Sequence, residues 1–240
     1  MVNGAWAWPI NWSSRFTSGV PPLLESSKSD VVKWKNSEGK VMDFSVSVAW
    51  EDLRPRSSKV IWFSMVWFNQ CIPKHSFVLW LAVLRKLKTQ DLLRSWDVAA
   101  GISQDDLLCP LCESTPDSHN HLFFECSYAT QVWSVVRDKA RFPVVSCRWD
   151  DIVSEVLLFS HKNSIKSVVT KLVLAASVYY IWRERNSRLF AHKKRKPDQL
   201  AASIIHTIRL KLFTFRFKKS RRLDELRIAW DIPDFITHVR

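Results

Sequence analysis

Three cysteines and two histidines lie within one short stretch of this chain, CPLCESTPDSHNHLFFECSY at positions 109–128. Cys109 and Cys112 are two residues apart, a spacing at which one tight turn presents two thiolates to a tetrahedral ion. His121 and Cys126 complete the pattern C-x2-C-x8-H-x4-C. Thiolate and imidazole ligands together favour Zn²⁺. Because four protein ligands leave no position for water, the pattern predicts a structural rather than a catalytic zinc site.

Other interpretations of the same stretch stay open at this point. His119 also lies between the cysteine pairs, so it is an alternative fourth ligand to His121. A redox-active C-x2-C would need a strand before it and a helix directly after it, but the loop ESTPDSHN follows. A chance cluster without metal is the third interpretation. Cys71 and Cys147 lie outside the cluster, and we expect them to be buried thiols without a chemical role.

The composition predicts a mainly helical protein around this loop. The chain has 240 residues, of which 47% are hydrophobic, with 13 Trp and 14 Phe to fill a core. Only 4 Gly are present, which leaves little room for tight hairpins or a Gly-rich phosphate loop. The N-terminus shows no secretion signal, so we expect an intracellular, reducing environment in which cysteines bind metal rather than form disulfides.

The periodicity of apolar residues predicts the elements that position the loop. Residues 30–34 and 40–44 flank NSEG and indicate one short β-hairpin, and Ser45 or Ser47 is a suitable cap for the helix that follows. Residues Phe77, Trp80, Leu81 and Leu84 recur at helical spacing and predict a buried face. Further helices are expected over 128–141, 150–159, 165–186 and 198–219. The third of these is apolar almost all round and should be central.

These elements suggest three regions: an N-terminal segment with the hairpin (1–44), a zinc-binding domain (45–147) and a basic helical region (148–240). The fold class expected is mainly α, with one short hairpin and one loop held by a Cys₃His zinc site. The longest apolar run, VVTKLVLAASVYYIW, is shorter than a spanning helix needs and contains Lys171. We therefore expect a core helix and no membrane span.

The positive charge of the chain is local. The formal net charge is +13, and residues 183–222 alone hold fourteen Lys and Arg but only two acids, Glu184 and Asp198. Such a concentration is typical of a surface that meets a polyanion. The cations considered as phosphate contacts are Lys193, Lys194, Arg195, Lys196, Arg209, Arg216, Lys218, Lys219, Arg221 and Arg222. The alternatives are a solvated loop at either cluster and, for the helix between them, an anionic membrane surface.

Two long segments resemble a known family. WFSMVWFNQCIPKHSFVLWLAVLRKLKTQDLL at 62–93 and CPLCESTPDSHNHLFFECSYATQVW at 109–133 are similar to the reverse-transcriptase zinc-binding domain of plant non-LTR (LINE-type) retrotransposons. The matching motifs are P-K at 73–74, W-L-A at 80–82, C-P-x-C at 109–112 and H-L-F-F-x-C at 121–126. The resemblance implies that Cys109, Cys112, His121 and Cys126 are the metal ligands, in agreement with the spacing.

The resemblance also implies a function. It suggests a C-terminal fragment of such an element that binds RNA or DNA through phosphates, without sequence preference and in the nucleus. The polymerase motif, an aromatic-x-Asp-Asp, is missing. The chain has two Asp-Asp pairs, but the residue two positions before each pair is Ser103 or Arg148 and not an aromatic residue. We therefore expect no enzymatic activity. A zinc-stabilised scaffold for protein partners, or a relic without function, is the alternative. The sequence does not distinguish RNA from DNA.

Overall fold

A computed structural model describes residues 29, 31–93, 107–143, 146–215 and 220–233 of the chain. It divides into two compact units, residues 1–58 and residues 59–240. The sequence also predicts that the first residues are loop-like and that Gly101 ends the helical region after Thr89; residues 1–28 and Gly101 lie outside the described residues. The three predicted regions have other boundaries than these two units, and they stay a prediction.

The first unit contains a two-stranded antiparallel hairpin, β1 (Lys33–Lys35) and β2 (Val41–Asp43), in which Trp34 pairs with Met42. The turn between the strands is built by Asn36, whose side-chain oxygen accepts hydrogen bonds from the backbone N–H groups of Glu38 (3.1 Å) and Lys40 (2.8 Å). Gly39 has a φ of +83°, a conformation that favours glycine. The predicted hairpin is therefore confirmed.

A helix, α1 (Val46–Leu53), follows the hairpin and is tied to it. The Ser45 side chain caps α1 by accepting from the Val48 N–H at 3.2 Å, as the sequence indicated. Asp52 accepts hydrogen bonds from the indole N–H of Trp34 (3.0 Å) and from the Ser37 hydroxyl (3.1 Å). These bonds fix the hairpin against α1.

The second unit is a helical bundle. Its described elements are α2 (Phe63–Val66), α3 (Pro73–Val83), α4 (Gln90–Leu93), a π-helical turn (His121–Glu125), α5 (Ser127–Lys139), α6 (Trp149–Ser160), α7 (Ile165–Ala191), α8 (Pro197–Phe213) and α9 (Arg221–Trp230). Helix α7 packs against α2, α3, α5, α6, α8 and the π-helical turn. The expected fold class, mainly α with one hairpin, is thus observed.

Helix α7 forms the centre of the core because its sequence is apolar on nearly every side. The Ser164 side chain caps it, accepting from the Ser167 N–H at 3.2 Å, and His192 ends it in the left-handed conformation at φ +52°. It is the one helix among the described residues that is long and apolar enough to cross a membrane. However, 72% of its apolar window is buried inside the protein, as in a core helix.

Helix α3 buries a different face from the one that the sequence indicated. His75, Ser76, Leu79 and Ala82 are buried, whereas Phe77 is 50% exposed and Trp80 is only partly buried. Pro73 begins α3, where its missing N–H has no helical partner to lose. His75 of α3 stacks on Tyr179 of α7, whereas Phe77 lies at the surface.

The ring of His75 is enclosed between α3 and α7. It stacks on Tyr179, with ring centroids 4.4 Å apart, and meets Tyr180 edge-on at 5.7 Å. Neither ring nitrogen has a hydrogen-bond partner among the described residues. Burial, and secondly the charge of Lys74, lower the pKa of His75 from 6.5 to about 4. The native state therefore holds this imidazole neutral.

Replacing His75 by Phe should remove part of the acid sensitivity of folding. The unfolded chain binds this proton at a higher pH than the folded chain, so His75 costs no stability above about pH 6.5 and costs progressively more as the pH falls toward 4. Between pH 7.5 and pH 5 the cost reaches about 2 kcal/mol. Urea unfolding at the two pH values measures this. From pH 7.5 to pH 5, the free energy of unfolding should fall less in H75F than in wild type, and the difference between the two falls should be about 2 kcal/mol.

The control is His206→Phe, at an exposed position of α8. It should keep the wild-type pH dependence. An equal fall in all three proteins would contradict a neutral, buried His75.

Candidate metal centre

The first pair of ligands, Cys109 and Cys112, lies in a tight turn between two short antiparallel stretches. Leu108 pairs with Pro116, and the backbone N–H of Cys109 donates to the carbonyl of Thr115 at 2.8 Å. The chain reverses at Glu113, which has a φ of +56° and whose N–H donates to the Cys109 carbonyl at 2.8 Å. This turn directs both sulfur atoms to the same side.

The second pair, His121 and Cys126, is separated by the π-helical turn. The N–H of Cys126 donates to the carbonyl of His121 at 2.7 Å, which closes one turn over five residues. Leu122, Phe123 and Phe124 between them are fully buried. The turn therefore places three apolar side chains in the core and the two ligands on the opposite side. Cys126 is also the N-cap residue of α5.

The four ligand atoms of Cys109, Cys112, His121 and Cys126 all lie within 4.8 Å of one another. Two Zn–S bonds of about 2.3 Å in a tetrahedron place their sulfur atoms about 3.8 Å apart. The sulfur atoms of Cys109 and Cys126 are 3.9 Å apart, and the Cys112 sulfur is 3.3 Å from Nε2 of His121. Both the donor set and the spacing fit a tetrahedral zinc ion, which the structure itself does not contain.

The electrostatics of this cluster are those of a site that needs a cation. Hydrogen bonding to Cys126, and then burial, raise the pKa of Cys109 to about 12. The same sulfur–sulfur contact lowers the pKa of Cys126, assisted against the effect of burial by the N–H groups of Ala129 and Tyr128 at the start of α5. The neighbouring sulfurs, Cys109 foremost, raise the pKa of His121 to about 9. Zinc would replace these shared protons as the common positive partner.

His119 lies apart from the cluster. Its ring is 5% exposed and meets Phe123 and Trp149 edge-on, at centroid distances of 5.2 and 4.7 Å. Neither of its nitrogens has a hydrogen-bond partner. Of the two histidines that the sequence left open, it is therefore His121 whose ring nitrogen lies beside the sulfur atoms, while His119 packs in the aromatic core.

A buried ionic network fastens the first ligand pair to α7. Arg188 donates from Nη1 to the carbonyls of Pro110 (3.2 Å) and Leu111 (2.9 Å), the two residues between Cys109 and Cys112. Its Nε donates to Glu184 at 3.0 Å. The Glu184 carboxylate is fully buried, but its hydrogen bonds outweigh the cost of burial and lower its pKa.

The same network holds the loop that follows α7. The side chain and the backbone N–H of Arg195 both donate to Glu184, at 2.9 and 2.8 Å. The Arg195 carbonyl in turn accepts from Arg188 (2.9 Å) and from the Tyr128 hydroxyl (3.0 Å). The Arg188 guanidinium lies 4.4 Å above the ring of Tyr128. The Glu184 carboxylate thus connects α7, α5, the loop of residues 192–196 (the basic loop) and the turn that carries Cys109 and Cys112.

A second ion pair holds the middle of the metal loop, the segment of residues 109–126 that carries the four candidate ligands. Asp117 is buried and accepts from Arg185 of α7, with a distance of 3.2 Å from Nε, and from the backbone N–H of Gln90 at the start of α4 (2.9 Å). Sequence reasoning missed Asp117, Glu184, Arg185 and Arg188. One signal was available in the sequence. The charged run RER at 183–185 lies inside a helix that is apolar almost all round, and a buried charge there needs a charged partner.

The structure separates the cations that were considered as phosphate contacts. Lys194 forms an ion pair with Glu113 of the metal loop, and Arg195 with Glu184. Arg209 donates to the Asp231 carbonyl at 2.6 Å. Arg221 is exposed and pairs with Glu225 at 3.4 Å. Arg216, Lys218 and Lys219, as well as the side chain of Arg222, lie outside the described residues.

Lys193 and Lys196 differ from these. Both are exposed, and neither has an ion-pair partner in the part of the chain that the structure describes.

Cys71 and Cys147, expected to be buried, are only partly so and lie away from the ligand cluster.

Comparison with known proteins now identifies this region. Residues 44–133 match the model of a family described as zinc-binding in reverse transcriptase. That segment, less than half of the chain, is similar to this family. The match contains all four residues of the candidate metal centre and ends at Trp133, in the middle of α5. No curated protein and no solved structure matches the chain.

We expect the protein to bind one zinc ion per chain and to lose it when Cys112 is replaced by Ser. Loss of one thiolate leaves three protein ligands, and the variant should carry less than a tenth of the wild-type zinc after dialysis against a chelator. Elemental analysis of the purified chains measures this directly.

The matched controls are Cys71→Ser and Cys147→Ser, which remove thiols outside the cluster. Both should retain one zinc. Full zinc in C112S, or a loss in either control, would place the metal elsewhere.

Replacing Arg188 by Ala should destabilise the protein and loosen the metal loop together. The substitution leaves Glu184 buried with one partner fewer, a change that costs about 3–5 kcal/mol. It also frees the Pro110 and Leu111 carbonyls, so zinc transfer to a colorimetric chelator should become faster. Chemical unfolding and the rate of zinc release are the two measurements.

Arg183→Ala is the control for this variant. Arg183 lies on the same helix and is exposed, so its loss should change stability by less than about 0.5 kcal/mol and leave zinc release unchanged. If R188A releases zinc at the wild-type rate, the network does not support the metal loop.

Proposed function

We propose that the chain is a zinc-binding, nucleic-acid-binding module without polymerase activity of its own. The observation that carries the proposal is the family match over residues 44–133, because reverse transcriptases act on nucleic-acid templates. Zinc would hold the metal loop in place, and exposed cations would contact phosphates with little sequence preference. An origin in a plant LINE-type element, and a place of action in the nucleus, belong to the same proposal.

The distribution of charge supports this function. The formal net charge is +13, and the acids that the core uses, Asp117 and Glu184, are already paired. Lys193 and Lys196 are exposed residues of the loop that contains Arg195, which is held by Glu184. This attachment supports the proposal because it holds the loop that carries the two exposed cations against the helical core.

The alternative function is a zinc-stabilised scaffold for protein partners. It is favoured by the same buried network, since Arg188 and Arg195 are engaged by Glu184 and are not free to bind phosphate. A scaffold would fold and bind zinc normally. Its affinity for nucleic acid would be no higher than that of any basic protein of equal charge.

Fluorescence anisotropy with zinc-loaded protein, single-stranded RNA and duplex DNA, repeated over a salt series, separates the two functions. We expect submicromolar binding that weakens steeply with salt. Reversing only Lys193 and Lys196 to Glu should weaken binding and flatten the salt slope by about 1.4 for a single strand, the equivalent of two phosphate contacts. Arg195 is left intact because it pairs with the buried Glu184, and Lys194 because it is already paired with Glu113.

The control is Lys35→Glu with Lys40→Glu, two exposed cations of the hairpin unit, which gives the same change in net charge. Equal weakening by both double variants would indicate a non-specific charge effect. Wild-type binding no tighter than that of a charge-matched basic protein would leave the scaffold as the function.

A further inference from the structure

A groove in the second unit lies away from the metal loop. It has a volume of about 520 Å³ and is enclosed by the end of α5, the α6–α7 connection, the first turn of α7 and one face of α9. This volume lies within the range of pockets that bind small molecules, about 300–1,000 Å³. The metal site does not use it.

The rim of the groove is cationic. Arg141, Lys162 and Lys166 line it, are exposed, and have no ion-pair partner among the described residues. Lys139 also lines it and is 3.6 Å from Asp231. The acid at the rim, Glu225, is engaged by Arg221 at 3.4 Å. Since three cations on different elements have no ion-pair partner among the described residues, whereas Glu225 is engaged by Arg221, the groove favours an anionic occupant.

The floor of the groove is apolar. Phe159, Ile165 and Leu226 are partly buried side chains that line it, with Ala229 and the nearly buried Trp230 beside them. A small inorganic anion would leave this floor uncovered. A ligand that fits both parts carries a negative charge at one end and a flat or apolar group at the other.

We propose that this groove binds one unpaired nucleotide of a single-stranded nucleic acid, with its phosphate at Arg141, Lys162 and Lys166 and its base against the apolar floor. The inference rests on the proposed nucleic-acid binding and adds a location and a preference to it. Single-stranded ligands are bound by such a combination of cations along the backbone and apolar surfaces under the bases. A duplex cannot insert a base here without unpairing it.

Two variants test the two ends of the ligand separately. Arg141→Glu with Lys162→Glu removes phosphate contacts, so the affinity for a labelled ten-residue oligouridylate should fall at least tenfold below that of the control K35E/K40E, and the salt slope should flatten by about 1.4. Ala229→Trp fills the floor without changing the charge. It should weaken single-strand binding about tenfold, leave the salt slope unchanged and leave duplex binding unaltered.

Each outcome has one meaning. If wild-type protein binds neither RNA nor DNA, the proposed function fails and this inference fails with it. If wild type binds but R141E/K162E binds as tightly as K35E/K40E, or A229W binds as tightly as wild type, only the groove assignment is wrong. Binding of laurate in the groove without binding of the oligonucleotide would assign the site to an anionic amphiphile and overturn the inference. Zinc content and thermal unfolding show whether each variant is folded. R141E/K162E alters only exposed side chains, so the groove can still be tested if A229W does not fold.

Discussion

The buried carboxylate of Glu184 is the interaction on which the arrangement of the metal loop, α5 and the basic loop depends. An isolated carboxylate in the centre of a helical core would be strongly destabilising, and its burial is possible because Arg188 and Arg195 donate to it together with a backbone N–H. Each of those donors also holds something else. Arg188 binds the carbonyls between Cys109 and Cys112, and the Arg195 carbonyl binds Tyr128 of α5. A change at this carboxylate would therefore reach the metal loop through direct hydrogen bonds.

This network changes the meaning of the positive charge. By composition, residues 183–222 form one basic segment, which suggests a single polyanion-binding surface. In the folded chain the segment divides between inside and outside. Arg185 and Arg188 are buried partners of Asp117 and Glu184, the partly exposed Arg195 also pairs with Glu184, and Lys193 and Lys196 remain exposed. Arginine suits the two buried positions because a planar fork with several donors satisfies carboxylate and carbonyl oxygens at once.

The sequence predicts what is local and fails where packing decides. The spacing of the cysteines and His121, the hairpin turn at Asn36–Gly39 and the cap at Ser45 depend on neighbours in the chain, and all are found in the structure. The predicted buried face of α3 was wrong at Phe77, which lies at the surface, because packing against α7 encloses His75 on Tyr179 instead. The π-helical turn at His121 could not be predicted either, because it depends on the core positions of Phe123 and Phe124. The paired arginines belong to the same class, since their partners are distant in sequence.

The metal and the core support the loop from opposite sides. The π-helical turn directs His121 and Cys126 to the metal while Leu122, Phe123 and Phe124 fill the core against Trp133 and Trp149. Asp117 and Arg188 hold the other half of the loop to α7 without any metal ligand. In a small isolated finger the metal has to supply most of the folding free energy, because the chain has too little apolar surface to bury. Here the loop is part of a large helical core. The role left to a zinc ion bound here would be to neutralise three sulfur atoms held close together, so its removal should disturb residues 109–126 well before the bundle around α7.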